Sequence, residues 1–345
     1  MTNPRFKHRP PGSNWGDFGP DDQLGRLNLL TPEKVLQGIA EVKTGERFCL
    51  SLPLNLPGGN RLNPRRHPPR LQPVSDGSNE YYNYPLCCEN PGATDVISDD
   101  CVVLHTQYST QWDSLAHVGG LFDIDGSGTP RRVYYNGYAA GSDVVGESGP
   151  IGQGDRQTVK AGALGVENMA EAAIQGRAVL VNLRKHFDDG RTEVDYAMLR
   201  QVLDADGIIV EPGDMLCLYT GFADKVVEMR GDPDAAVLHA MCAVLDGRDA
   251  RLRDWIASSG IAALIADNYA VERKSLTPPP PADGPVMPLH ELCLFKLGLP
   301  LGELWYLKDL ARALQAQGRS RFLLTAPPLR LPGAVGSPVT PVATI

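Results

Sequence analysis

Between positions 105 and 117 the chain reads His105-Thr106-Gln107-Tyr108-Ser109-Thr110-Gln111-Trp112-Asp113-Ser114-Leu115-Ala116-His117. Gln107, Gln111 and Asp113 offer oxygen donors, and His117 offers an imidazole nitrogen. In a strand, Gln107, Ser109, Gln111 and Asp113 would alternate onto one face. Asp113 and His117 are four apart, so one helical turn after the strand brings them together. Such a row of donors suits a small divalent cation, which makes bound water acidic and polarises a carbonyl. Two residues of matching type, His290 and Glu303, lie far downstream. Groups of these types also serve as caps and surface polar residues, so the surrounding elements must decide.

The apolar run 101–104, Cys101-Val102-Val103-Leu104, reads as a buried strand leading into the polar stretch. Thr31-Pro32-Glu33 reads as a helix start, with a cap, proline at the first position and an acid in the first turn. Val35, Leu36, Ile39 and Val42 are its expected apolar face and Gly45 its end. Further strands are expected over 47–54, 178–183, 214–219 and 261–266. Helices are expected over 166–175, 194–205, 234–258 with a break at Gly247, and 287–297 closed by Gly298. This alternation predicts an α/β fold with parallel pairing, in which strand ends collect ligands. Asp113, Thr220 and Asp267 fall at such ends. His290 falls near a helix start, where an imidazolium is disfavoured, so a neutral ring is expected.

Around that core the chain is rich in turns, with 36 Gly and 29 Pro spread among periodic segments. Residues 1–12 read as a flexible or docking arm, and 13–345 as one α/β domain with long loops. Aromatics between glycines over 13–25 suggest a loop that packs through its rings. Residues 56–80 read as a long ordered loop able to cover a site. Its cluster Arg65-Arg66-His67 with Arg70 reads as a solvated patch that could also draw in an anion. Thr277-Pro278-Pro279-Pro280-Pro281 opens an extended connection.

A formal charge of −8 and no basic stripe argue against a nucleic-acid partner. No apolar run approaches the ~20 residues of a membrane helix, and no leader is visible at the N-terminus. Seven cysteines, an odd number set mostly in apolar runs, point to reduced thiols in a cytoplasmic protein.

The central stretch resembles the cyclase family of metal-dependent hydrolases, which includes arylformamidases (kynurenine formamidases) and isatin hydrolases. Its motif is H-x-G-T-H-x-D-x-P-x-H. Gln107 and Gln111 stand at the first two histidines, Thr110 at the threonine, Asp113 at the aspartate and His117 at the last histidine. Ser109 replaces the glycine and Leu115 the proline. Further blocks extend the likeness: the opening 13–31, Tyr135-Asn136-Gly137, His290 with Leu297-Gly298 and Glu303, and the closing Gly336-Ser337-Pro338. The resemblance implies the swivelling β/β/α fold, a small-molecule substrate and a homodimer or homotetramer.

It also implies metal ligands drawn from Gln107, Gln111, Asp113, His117, His290 and Glu303. Of these, His117, His290 and Glu303 are the candidate catalytic groups. Only two candidates are carboxylates, so two dications would be poorly balanced and at most one is expected. Asp113, His117 and Gln111 are the first ligands expected. Glutamine oxygens shift the preference from Zn2+ toward Mn2+ or Mg2+, though zinc still competes. The activity expected is hydrolysis of a cyclic amide, imide, lactone or aryl formamide by a metal-activated water. The alternatives are a metal-independent dehydratase or cyclase using His290 and Glu303, with metal absent, and a non-catalytic ligand-binding member.

Overall fold

The computed structural model describes residues 4–146, 159–273 and 284–345. The expected connection that opens at Thr277 lies outside the described residues up to position 283. A nine-stranded sheet organises the chain. Its strands are β1 Arg47–Cys49, β2 Gln111–Asp113, β3 Gln175–Asn182, β4 Met215–Tyr219, β5 Ala263–Ala266, β6 Leu301–Glu303, β7 Arg321–Thr325, β8 Gly336–Pro338 and β9 Val342–Thr344. Across the sheet they run β1-β9-β7-β3-β4-β5-β6-β2-β8. The centre, β3 to β6, is parallel. All flanking pairs are antiparallel.

The parallel centre follows from its side chains. Val179 and Val181 enter one core with Leu216, Leu218 and Leu264, while Ala178 and Leu180 enter the other with Met215, Cys217 and Ile265. Both faces are buried, so these strands read as unbroken apolar runs. The four longest helices are α1 Pro32–Ala40, α2 Tyr196–Ala205, α3 Ala250–Ser259 and α4 Lys308–Ala316. The first core contains Leu199, Val202 and Leu203 of α2 and Leu252 and Ile256 of α3. The second contains Leu310 and Leu314 of α4 with Trp112 and Trp305. No helix among the described residues is long and apolar enough to cross a membrane.

Several expectations need correction. Residues 100–103 do form a strand, but an exposed one, paired with 70–73 in a two-stranded ribbon. Local pairing satisfies its backbone without burial. The polar stretch therefore does not continue that strand: a turn intervenes, and Gln111–Asp113 joins the central sheet separately. α1 forms as expected and stops at Ala40. Its inward face is Lys34 and Gly38, while Leu36 and Ile39 are exposed. Close approach to β3 decides this, since a Cβ on Gly38 would lie 2.9 Å from the Gly176 carbonyl carbon. The helix expected over 166–175 ends at Glu171, and Gln175 and Gly176 already belong to β3. The helical reading of 234–258 fails at 243–245, a strand that pairs in parallel with 192–194.

The arm's described residues lie against the body. The Arg5 guanidinium donates to Asp21 and to the Tyr138 hydroxyl. Phe6 packs on Trp15, whose ring also meets Phe122 and Phe295 edge-on.

Candidate metal centre

β2 is only three residues long, and side-chain bonds fix it in place. The Thr110 hydroxyl donates to the Leu304 carbonyl and accepts the Leu52 N–H. The Trp112 indole donates to Ala326 O, and the Trp305 indole to Gln111 O. The two indoles pack edge-on at 5.1 Å. With Trp112 turned into the second core, alternation turns Gln111 and Asp113 to the opposite face. Glu303 sits opposite Gln111 and Leu301 opposite Asp113, so Glu303 joins that face.

His290 arrives from a different element. Pro288–His290 forms one helical turn that continues as a π-helix over Glu291–Lys296. His290, Asp113 and Glu303 are all buried, and their ligand atoms lie within 4.8 Å of one another. His290 Nε2 is 3.2 Å from Glu303 Oε1. The Gln111 amide bridges the acids, with Nε2 donating to Asp113 Oδ1 and Glu303 Oε2 at 3.3 Å each.

His117 and Gln107 stand further out. His117 Nε2 is 3.8 Å from Asp113 Oδ2, and its side chain keeps 21% exposure, which places it at the mouth. Gln107 Nε2 lies 3.1 Å from His117 Nδ1, while its Oε1 accepts the Thr106 hydroxyl. Arg66 donates to the Gln107 carbonyl at 2.6 Å. The six candidates therefore form one connected cluster, with Gln107 at its rim. Thr220 and Asp267 form a separate one, in which Asp267 accepts from Thr220 N, Thr220 Oγ1 and Gly221 N.

Sequence reasoning missed Glu272. It is buried, and Oε1 receives both the His290 backbone N–H and the His290 ring Nδ1 at 2.9 Å. Its only local signal is one acid shortly after a strand end. The backbone that delivers it runs through Ala270 and Val271 at φ of +82° and +57°. Propensity gives no warning of that, because a β-branched residue avoids positive φ.

The electrostatics follow from these contacts. Burial would depress the His290 imidazolium, but hydrogen bonds to Glu272 and Glu303 outweigh it and push the ring up to about 10. The helix-start effect expected to keep the ring neutral is outweighed here by two touching carboxylates, which favour the charged form. Burial also opposes ionisation of Glu303, yet the His290 bond and charge hold it below its ordinary value. Asp113 has no such bonded cation. Burial raises its carboxyl, His117 opposes this, and Glu303 adds to it.

The residues present fit a cation. Gln111 Oε1 and Asp113 Oδ2 are buried with no hydrogen-bond partner among the described residues. An unpaired buried acceptor costs about 1–3 kcal/mol. A dication among Asp113, Glu303 and His290 would satisfy Asp113 Oδ2 and separate two adjacent acids, and Gln111 Oε1 would join them once the amide turned over from its bonds to both acids.

The family model Cyclase matches residues 50–273, a span that contains the central stretch and Glu272. This chain belongs to the cyclase family. A crystal structure described as a novel cyclase is similar at 29% identity, covering 98% of this chain and 100% of that one, with a TM-score of 0.73. Isatin hydrolase A from Ralstonia solanacearum is 13% identical over 86% of this chain and 91% of its own, with a TM-score of 0.52. Isatin hydrolase A from Labrenzia aggregata, bound to benzyl benzoate, is 12% identical over 90% and 97%, with a TM-score of 0.54. What the isatin hydrolases share with this cyclase-family chain is the fold. No curated protein matches it. Its mixed α/β sheet is the cyclase architecture expected from the motif blocks.

Proposed function

We propose that the chain is a metal-dependent hydrolase that opens a cyclic amide, imide or lactone, or cleaves an aryl formamide. One observation carries this reading: Asp113, His290 and Glu303 are buried with ligand atoms within 4.8 Å of one another, and Asp113 Oδ2 has no hydrogen-bond partner among the described residues. Asp113, Glu303, His290 and Gln111 would hold a single Mn2+, Zn2+ or Mg2+, with Asp113 and Glu303 balancing its charge. Glu272 is a third acid, but His290 and backbone N–H groups occupy it. When bound, such a cation supplies a water acidic enough to attack near neutral pH and a charge opposite the developing oxyanion.

The chain's own groups supply the proton traffic. At the mouth, His117 takes a proton as water attacks the acyl carbon. It returns the proton to the nitrogen or oxygen that leaves as the C–N or C–O bond breaks. The deep side chains exclude bulk water and hold the acyl group against the cluster. The relatives' isatin hydrolase activity supports a cyclic amide as the first substrate class to try. A small-molecule substrate and a homodimer or homotetramer belong to the same reading.

The test is elemental analysis of chelated and reconstituted protein, with turnover measured on amide, imide, lactone and formamide panels. Activity that needs a stoichiometric dication supports the proposal. Full activity after exhaustive chelation would favour the second reading, acid–base chemistry by His290 and Glu303 alone. The continuous bonding of Glu272, His290 and Glu303 is what speaks for that alternative.

A further inference from the structure

We propose that Glu272 is the positioning residue of this centre: it accepts the Nδ1–H of His290 and keeps the opposite nitrogen turned toward Asp113 and Glu303. The inference rests on the metal-dependent reading given above.

An ionised carboxylate can only accept hydrogen bonds. Glu272 Oε1 lies 2.9 Å from His290 Nδ1, so that nitrogen carries the hydrogen. Nε2 is then the atom left to face the cluster, where it already meets Glu303 Oε1 at 3.2 Å. A carboxylate behind a ligating histidine fixes both tautomer and ring orientation. Glu272 does so with its own position over-determined. It accepts the Leu289 N–H through both oxygens, at 3.0 and 2.9 Å, and the His290 N–H at 2.9 Å.

Two backbone features make this a built arrangement. Helix starts are usually capped by a neighbouring Ser, Thr, Asp or Asn. Here the acceptor comes from 18 positions before His290, through consecutive residues at positive φ. Opposite it, Gly247 leaves room for the carboxylate: a Cβ there would lie 2.2 Å from Glu272 Oε2. Gly247 was expected to break a helix, and the contact gives it a second role.

The test uses chelator-stripped full-length protein titrated with Mn2+, free ion being followed by electron paramagnetic resonance. Glu272→Gln keeps the side-chain volume, and Gly247→Ala displaces the carboxylate without removing it. Both should bind Mn2+ about 10–100-fold more weakly than the parent. In Zn2+-loaded, 15N-histidine-labelled parent protein, His290 should show its proton on Nδ1 alone, and Glu272→Gln should lose that single tautomer. If both variants bind Mn2+ within twofold of the parent and only melt earlier, Glu272 is a helix cap and the inference is overturned. Should one variant not fold, the other variant and the parent spectrum decide. A parent that binds neither Mn2+ nor Zn2+ overturns the metal-dependent reading and this inference with it. That outcome is distinct from metal binding that ignores Glu272.

Discussion

Gln111 and Glu303 face each other across an antiparallel pair, 192 positions apart in sequence, with the glutamine Nε2 3.3 Å from the glutamate Oε2. The amide donates to Asp113 as well, so one neutral side chain separates two buried acids. An imidazole at position 111 would offer a nitrogen lone pair, where this chain can offer a cation only the amide oxygen, turned over from its present bonds to the two acids. Metal preference should therefore follow this residue. Gln111→His should raise Zn2+ affinity relative to Mn2+ by about tenfold, or about 1.4 kcal/mol. Competition titrations with both ions check the ratio, and an unchanged ratio would remove Gln111 from the ligand set.

Asp113→Asn removes one of two adjacent buried carboxylates. Turnover should fall by more than about 10³-fold, and stoichiometric metal binding should be lost. The metal-free variant should melt no lower than the metal-free parent, because a like-charge contact has gone. Calorimetry beside elemental analysis separates the two effects. A variant that keeps its activity would sink the proposed function.

Gly336→Ala probes the rim. A Cβ at 336 would lie 2.4 Å from Gln107 Nε2, so the amide must leave His117 or the backbone must move. The overpacking should cost about 1–3 kcal/mol in a denaturant melt. If His117 handles the proton, kcat should drop with metal content unchanged. A loss of metal would instead make Gln107 part of the ligand set.

Asp267 sets a pH signature of its own, in a cluster separate from Asp113, His290 and Glu303. Burial pushes its carboxyl up to about 7, against three hydrogen bonds that favour the charged form. The folded chain then holds a proton that the unfolded chain releases near the ordinary value of about 3.9. The native state binds more protons across that window, so this contribution is full below about pH 4 and is lost as pH rises through about 7. Asp267→Asn should flatten the slope. Denaturant melts of parent and variant from pH 4 to 8, with chelator constant, check it, and parallel slopes would refute it.

Legibility followed the range of the forces involved. β3, β4 and β5 were visible because double burial leaves unbroken apolar runs. The motif was visible because its residues lie within one short stretch. β2 was not, since partners far downstream create a strand too short to carry a period. α1 was placed correctly but faced wrongly: hydrophobic spacing pointed to Leu36 and Ile39, whereas close backbone approach at Gly38 decided the matter. The charge on His290 was misjudged for the same kind of reason, because Glu272 reaches it only through a backbone that local propensity disfavours.

The three-residue strand carrying Gln111 and Asp113 lies between β6 and β8, at 301–303 and 336–338. During synthesis the ribosome must therefore pass residue 303, and then 338, before that strand can find its two neighbours. Until then Asp113 has no glutamate beside it, and a stalled nascent chain should be unable to load metal. The cluster thus matures only after strands about 190 to 225 positions downstream have been made, and their pairing is the event that licenses it.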